Sequence, residues 1–333
     1  MSKKADKTTL LSGLGGLLAL STIGSVGSWL AYSRLLIDHA MPLPAAIDAP
    51  RKQFLARRRN RLLNYYVDDH ASGRPLVLIH SINAAASAYE MRPIFEQYRS
   101  TRPVYALELP GFGFSERNNT PYSASMYADC IADFLDEVPG EAADVVALSL
   151  GSEFAARAVL AHPEQFHSLT MISPSGFTPR EKKVSSQRAG DSGSSDTAYS
   201  ILANPIWSQA FYDLLTTRVS IRYFLRKSFV GLVDPGLADY GYLTAHQPGA
   251  RYAPLYFVSG KLFTRDVLSA IYQKLELPVL VIYDKDNFVR FDALPGLVTT
   301  RPNWQLARIT PTMGLPHFEK MPQVAAALDR FWG

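Results

Sequence analysis

The stretch VVALSLGSEFAARAV, residues 145–159, decides the fold. An apolar run typical of a buried strand passes directly into an alanine-rich helical pattern. Ser149 lies between the two, with the small residues Ala147 and Gly151 on either side. A sharp turn from strand to helix needs small neighbours, because the serine adopts a strained backbone there. Such a turn exposes the serine Oγ and aims the next N–H, that of Leu150, at a developing oxyanion. The stretch therefore predicts a nucleophile at Ser149.

A second serine, Ser152, lies one turn further into the predicted helix. It lacks the small neighbours that flank Ser149. We interpret it as a first-turn helix residue that contacts local backbone.

Composition sets broad limits on the protein. The chain has 333 residues, 47% of them apolar, which is enough for one large core or a core with an inserted subdomain. The net charge is +4, and no concentrated basic tract occurs beyond residues 51–61, so no nucleic-acid partner is expected.

Cys130 is the only cysteine, which excludes an intrachain disulfide. No close pair of histidines has metal-ligand spacing, so neither a metal nor another cofactor is expected. The oligomeric state stays open.

Strand and helix patterns alternate from Asn60 onward. This alternation predicts an α/β fold with a mostly parallel sheet flanked by helices. The rhythm breaks between residues 178 and 277, where a polar stretch is followed by aromatic-rich helical patterns. We interpret residues 60–177 and 278–333 as two parts of one core, and residues 178–277 as a largely helical cap inserted between them. Residues 37–59 are predicted to be a linker.

The N-terminus predicts a membrane anchor over residues 1–36. Three lysines precede an uncharged run over residues 8–33, which at about 1.5 Å per residue can cross a hydrocarbon core of roughly 30 Å. Trp29 and Tyr32 lie at its far end, where interfacial aromatic residues are expected. A cleaved signal peptide and a packed soluble helix are the alternatives. Basic residues balance on both sides of the run, so the side of the catalytic domain stays open.

Two further reactive residues follow in the second part of the core. Asp286 comes after the apolar strand LPVLVI, where an acid can orient a histidine, and Asp284 is a close rival. His317 lies before the last helix and is the only histidine C-terminal to this acid. The chain order Ser149, Asp286, His317 is the order of a Ser-Asp-His triad in one fold.

The loop after the first buried strand, PLVLIHS, supplies the remaining candidates. Its residues His80-Ser81-Ile82-Asn83 follow the strand directly. A loop at this place provides a second oxyanion N–H, which we assign to Ile82. We interpret His80 and Asn83 as residues that support the loop.

These motifs together resemble those of the α/β-hydrolase fold with a cap, from about Asn60 to the C-terminus. LELPGFGFSE, residues 107–116, resembles the DxPGxGxS loop of that family, PVLVIYDKDNFV its acid strand, and PHFEKMPQVAAALDRFW its histidine loop and last helix. Three positions depart from the family pattern. Ser81 stands for the glycine of HG, Ala147 for the first glycine of GxSxG, and Glu108 for the aspartate of DxPG.

The resemblance implies a serine hydrolase that cleaves an acyl ester through an acyl-enzyme. His317 would act as general base, Asp286 would orient it, and the N–H groups of Ile82 and Leu150 would bind the oxyanion. The aromatic residues of the predicted cap favour an apolar substrate. Two alternatives remain open. One is a non-catalytic binding protein, since fold does not fix function. The other is a triad enzyme that cleaves C–C bonds or transfers the acyl group.

Overall fold

The computed structural model describes residues 25, 27–177 and 192–333, without the side chains of 192–194. Their centre is an eight-stranded sheet with strand order β1-β2-β4-β3-β5-β6-β7-β8. Strands β1, β2 and β4 pair antiparallel, and all other neighbours pair parallel. The strands are β1 (Arg51–Ala56), β2 (Arg61–Asp68), β3 (Leu76–Ile79), β4 (Val104–Glu108), β5 (Ala143–Leu148), β6 (Phe166–Ile172), β7 (Val279–Tyr283) and β8 (Trp304–Arg308).

Helices cover both faces of this sheet. Along β3, Val77 and Ile79 belong to one apolar cluster, while Leu76 and Leu78 belong to another on the opposite face. This alternation is why the strand is a continuous apolar run in the sequence. The predicted α/β fold with a mostly parallel sheet is confirmed. The helices of the core are α1 (Arg92–Tyr98), α2 (Ala124–Glu137), α3 (Gly151–Ala161), α10 (Leu294–Thr300), α11 (Pro316–Glu319) and α12 (Met321–Trp332).

The described part of the segment between β6 and β7 consists mainly of helices joined by turns and loops. The polar stretch predicted at its start, residues 178–191, lies outside the described residues. The helices of this insertion are α4 (Ser192–Leu202), α5 (Ser208–Leu215), α6 (Arg218–Arg226), α7 (Pro235–Ala245), α8 (Tyr252–Val258) and α9 (Val267–Ala270).

Strand β1 lies inside the segment that we predicted to be a linker. It is an edge strand whose first five residues, RKQFL, are exposed or half-buried. It forms because its backbone pairs with β2 from Arg51↔Tyr66 to Ala56↔Arg61. An exposed edge strand needs no apolar face, so its sequence carries little strand signal.

The predicted membrane anchor is contradicted. Among the described residues, no helix has both the length and the apolar character that a membrane span requires. Residues 1–24 of the predicted segment lie outside the described part, but residues 27–36 form a helix that packs on α5. Trp29 Nε1 donates to Ala210 O over 2.8 Å, and buried Ser33 donates from Oγ to Asp213 Oδ2 over 2.5 Å. Trp29, which we assigned to a lipid interface, contacts protein instead.

Candidate active site

Ser149 occupies a strained turn between β5 and α3. Its φ is +52°, in the left-handed region that side-chain-bearing residues rarely adopt. Its amide donates to Ile172 O over 2.8 Å, which ties the turn to the neighbouring strand β6. A Cβ on Gly151 would lie 2.5 Å from His80 O, so the helix can start there only with glycine. The small residue that the motif requires therefore has a direct steric cause.

The two serines of the opening stretch differ in their contacts. Ser152 is fully buried, and its Oγ donates to Ala147 O over 3.0 Å. Ser149 is half-buried, and its Oγ has no hydrogen-bond partner within the described part of the chain. Only Ser149 has a hydroxyl available to a bound molecule.

The loop after β3 adjoins this turn. The close approach of Gly151 to His80 O places the first residues of α3 beside residues 80–83. In the part of the chain that the structure describes, the amides of Ile82 and Leu150 donate to no protein acceptor. Both N–H groups remain available for an oxyanion.

A buried carboxylate holds this loop. Glu90 accepts three hydrogen bonds from it: Ser81 N at 2.9 Å, Ser81 Oγ at 3.0 Å and Asn83 Nδ2 at 2.8 Å. Asn83 Oδ1 also accepts from Ala85 N over 2.7 Å. Burial raises the pKa of Glu90, against the opposing effect of these hydrogen bonds. Ser81, which replaces the glycine of the family motif, thus donates two hydrogen bonds to Glu90.

His80 supports the same loop from within. Its Nε2 accepts a hydrogen bond from Leu109 N over 3.0 Å, so the proton sits on Nδ1, which donates to Ser81 O over 2.6 Å. Burial lowers the pKa of His80 to about 4, against the hydrogen bond to Ser81, and keeps the ring neutral. Both ring nitrogens are occupied, which leaves His80 no free nitrogen for acid-base chemistry.

The structure does not bring His317 to Ser149 or to Asp286. The imidazole is fully buried, and its Nε2 donates to Glu90 O over 2.7 Å. Its Nδ1 is buried without a partner among the described residues. Burial lowers the pKa of His317 to about 4, against the effect of the Glu90 hydrogen bond. The predicted base therefore bonds to the backbone of Glu90, the residue whose carboxylate holds the loop after β3.

Asp286 and its rival Asp284 differ in how they are used. Asp284 is buried and accepts from Arg308 Nε over 2.8 Å and from Thr312 N over 3.0 Å. Asp286 accepts from two amides of its own loop, Phe288 N at 2.6 Å and Val289 N at 3.3 Å. Burial raises the pKa of Asp286, against these two hydrogen bonds. Asp286 is thus the acid without a cationic partner.

Asp286 also touches the loop that carries His317, but at another residue. A Cβ on Gly314 would lie 2.6 Å from Asp286 Oδ2, three positions before the histidine. The acid and the final loop are therefore adjacent, while the imidazole points elsewhere.

The sequence analysis missed two residues of this site. Glu90 is one of them, and it lies in a buried 3₁₀ turn, Ala88–Met91. Tyr212, on α5 of the insertion, donates from its hydroxyl to Ala84 O over 2.7 Å and so holds the loop from the opposite side. The sequence contains no signal for either contact. Tyr212 is far from Ala84 in the chain, and a turn separates Glu90 from Ser81 and Asn83.

Comparisons with known proteins agree with this architecture. An uncharacterized hydrolase, YugF, from Bacillus subtilis is 30% identical over 118 residues, 35% of this chain and 42% of that protein. The 1-acylglycerol-3-phosphate O-acyltransferase ABHD5 from Rattus norvegicus is 27% identical over 35% of this chain and 34% of its own length. The chain spans less than half the length of both relatives.

Solved structures share the fold over most of the chain. A meta-cleavage product hydrolase from Pseudomonas fluorescens IP01 superposes with a TM-score of 0.64 at 18% identity, covering 84% of this chain and 97% of that one. The profile of the Alpha/beta hydrolase family matches residues 76–327, which is most of the chain and includes every strand from β3 to β8. The chain belongs to the Alpha/beta hydrolase family.

Proposed function

We propose that this chain is a serine hydrolase that cleaves an acyl ester, with Ser149 as nucleophile. The observation that carries the proposal is the turn at Ser149. It combines a positive φ with a hydroxyl and a following amide that have no hydrogen-bond partner among the described residues. A fold that keeps a strained serine at this point stabilises it through other contacts, as is common at functional sites.

In the proposed reaction, Ser149 Oγ attacks the acyl carbon while its proton passes to a base. The amides of Ile82 and Leu150 bind the oxyanion of the tetrahedral intermediate, and each such donor contributes roughly 3–4 kcal/mol on precedent. The intermediate collapses with loss of the alcohol, which takes up the proton. Water then attacks the acyl-enzyme and releases the acid.

His317 is the proposed base and Asp286 the acid that orients it, because of their order along the chain. The neutral ring is in the protonation state that a base requires. In this role the ring must carry its proton on Nδ1, so that Nε2 leaves Glu90 O and accepts the proton of Ser149 Oγ. The contact between Asp286 and Gly314 supports a final loop that can bring the acid and the histidine together.

The acyl group is proposed to be apolar, because the insertion that contacts the loop after β3 is rich in aromatic residues. Two other reactions would keep the same triad. One is hydrolysis of a C–C bond, and the other is acyl transfer, which the name of the ABHD5 relative also states.

A second candidate is a protein that binds an acyl compound at Ser149 without turning it over. The bond from His317 to Glu90 O favours it, since this bond uses the nitrogen that a base would need. This function would still need the turn at Ser149 and the loop after β3, but no assembled triad.

A fluorophosphonate probe separates the two candidates, since it reacts covalently with an activated serine. We expect labelling of the wild-type chain, its loss in Ser149→Ala, its retention in Ser152→Ala and a reduced rate in His317→Ala. Labelling that survives Ser149→Ala would reject the nucleophile. An unlabelled wild-type chain would reject the hydrolase and favour binding. Acyl esters of increasing chain length then test the apolar substrate.

A further inference from the structure

We infer that Glu90 is the positioning residue of the proposed oxyanion loop and fixes the direction of the Ile82 N–H through its hydrogen bonds to Ser81 and Asn83. The inference deepens the proposed function and rests on it for its catalytic meaning. It concerns a residue that touches no substrate and acts through Ser81 and Asn83.

The contacts bracket Ile82 on both sides. One carboxylate oxygen of Glu90 accepts from Ser81 N, and the other accepts from Ser81 Oγ and Asn83 Nδ2. The residues before and after Ile82 are therefore bonded to the same rigid group. A peptide unit held at both ends has little freedom to turn its N–H away.

The hydroxyl of Ser81 forms hydrogen bonds that a glycine at the same position could not form. Glycine at this position would donate only its amide, whereas serine adds a hydroxyl donor to Glu90 and also accepts from Asn83 Nδ2 over 2.9 Å. The departure from the family motif thus brings a hydrogen-bond network with it. The network offsets the desolvation of Glu90, which is 6% exposed.

Glu90 is itself held by His317, and the loop is also held by Tyr212 of the insertion. The carbonyl of Glu90 accepts from His317 Nε2 over 2.7 Å, and its turn lies in the buried core. The hydroxyl of Tyr212, in the insertion, donates to Ala84 O in the same loop. Because the backbone of Glu90 is held in place, its carboxylate can position Ser81 and Asn83.

The test is Glu90→Gln, with Glu96→Gln as matched control. The glutamine side chain has one acceptor oxygen and one NH₂ group, so in either orientation a donor meets Ser81 N–H or Asn83 Nδ2. Glu96 lies on the next helix, half-exposed, and forms only a surface pair with Arg92 at 2.8 Å. The control makes the same chemical change outside the network.

Amide hydrogen exchange of residues 81–85 gives a readout that does not depend on activity. We expect exchange at least tenfold faster in Glu90→Gln than in wild type, with no change in Glu96→Gln. We also expect the maximal fluorophosphonate labelling rate to fall at least tenfold while the probe concentration for half-maximal rate stays constant. A general loss of structure would not produce this split, since it would weaken probe binding as well.

Exchange within twofold of wild type in Glu90→Gln would overturn the inference. If exchange rises throughout the protein in that variant, Ser81→Ala and Asn83→Ala decide, because each removes one donor from the network. Faster exchange confined to residues 81–85 in both supports the inference, and unchanged exchange in both rejects it. An unlabelled wild-type chain would reject the proposed hydrolase, while the exchange result would still decide the role of Glu90.

Discussion

The two sides of the candidate site differ in how completely they are assembled. On the side of the predicted oxyanion hole, Glu90, His80 and Tyr212 each form a hydrogen bond with the loop after β3. On the acid-base side, Ser149 Oγ has no protein partner among the described residues, and Asp286 accepts only from amides of its own loop. The histidine predicted for the acid-base side donates to the carbonyl of Glu90, whose carboxylate holds the loop after β3. That loop is thus held by several hydrogen bonds, while among the described residues no hydrogen bond joins Ser149, Asp286 and His317 to one another.

The largest effect is expected from His317→Ala. The substitution leaves Glu90 O without its buried donor and opens space in the core. We expect the free energy of unfolding at pH 7 to fall by about 2–4 kcal/mol, measured by urea denaturation. A histidine that serves only as a base would be removed with little loss of stability.

This cost is expected to shrink as the pH falls. The pKa of His317 is about 4 in the fold and near 6.5 in the unfolded chain, so between these values only the unfolded state takes up the proton. Wild type loses about 2 kcal/mol between pH 7 and pH 5 through this group, and the variant does not. A difference between the two proteins that is the same at both pH values would contradict the buried, neutral histidine.

Gly151→Ala is expected to have the next largest effect, because it acts where the two sides of the site meet. The new Cβ would lie 2.5 Å from His80 O, a backbone atom that moves only with β3 and its loop. We expect the free energy of unfolding, measured by urea denaturation, to fall by about 2–3 kcal/mol. We also expect slower fluorophosphonate labelling.

Gly296→Ala in α10 is the matched control, since nothing lies within 4 Å of its Cβ position. There, alanine should stabilise the helix by about 0.5–1 kcal/mol. Equal effects at the two glycines would show that Gly151 is not a close contact between the turn and the loop.

The fold was predictable from the sequence because its signals are local. Strand β5 is apolar except for Asp144, since both of its faces are covered, and the turn at Ser149 follows it directly. The N-terminal prediction was wrong because an uncharged run with terminal aromatic residues looks the same whether Trp29 meets lipid or the carbonyl of Ala210. Hydropathy records the absence of charge, but it does not record which surface covers a helix.

The site was less predictable because its contacts join distant segments. The order Ser149, Asp286, His317 says which residues follow which strand, but it does not determine the direction of an imidazole in a short loop. Glu90 O receives Nε2 of His317 from 227 positions away in the chain. No spacing rule applies to such a pair, so the network around Glu90 becomes visible only in three dimensions.

The smallest effect on stability is expected from Asp286→Asn. Burial raises the pKa of this carboxyl, which means that the fold opposes its charge, and asparagine Oδ1 can still accept from Phe288 N. The free energy of unfolding should change by about 0.5 kcal/mol or less at pH 7. Asp213→Asn is the matched comparison, because Asp213 is fully buried and bonded to Ser33 and His39.

We expect that second substitution to cost about 1–3 kcal/mol, since it replaces an acceptor-only group amid several donors. Urea denaturation of both variants tests whether the acid-base side is held as loosely as its contacts indicate. A loss at Asp286 as large as that at Asp213 would place the acid in a rigid network. Little loss of stability together with slower labelling would instead mark Asp286 as an acid whose partner joins it only when the site assembles.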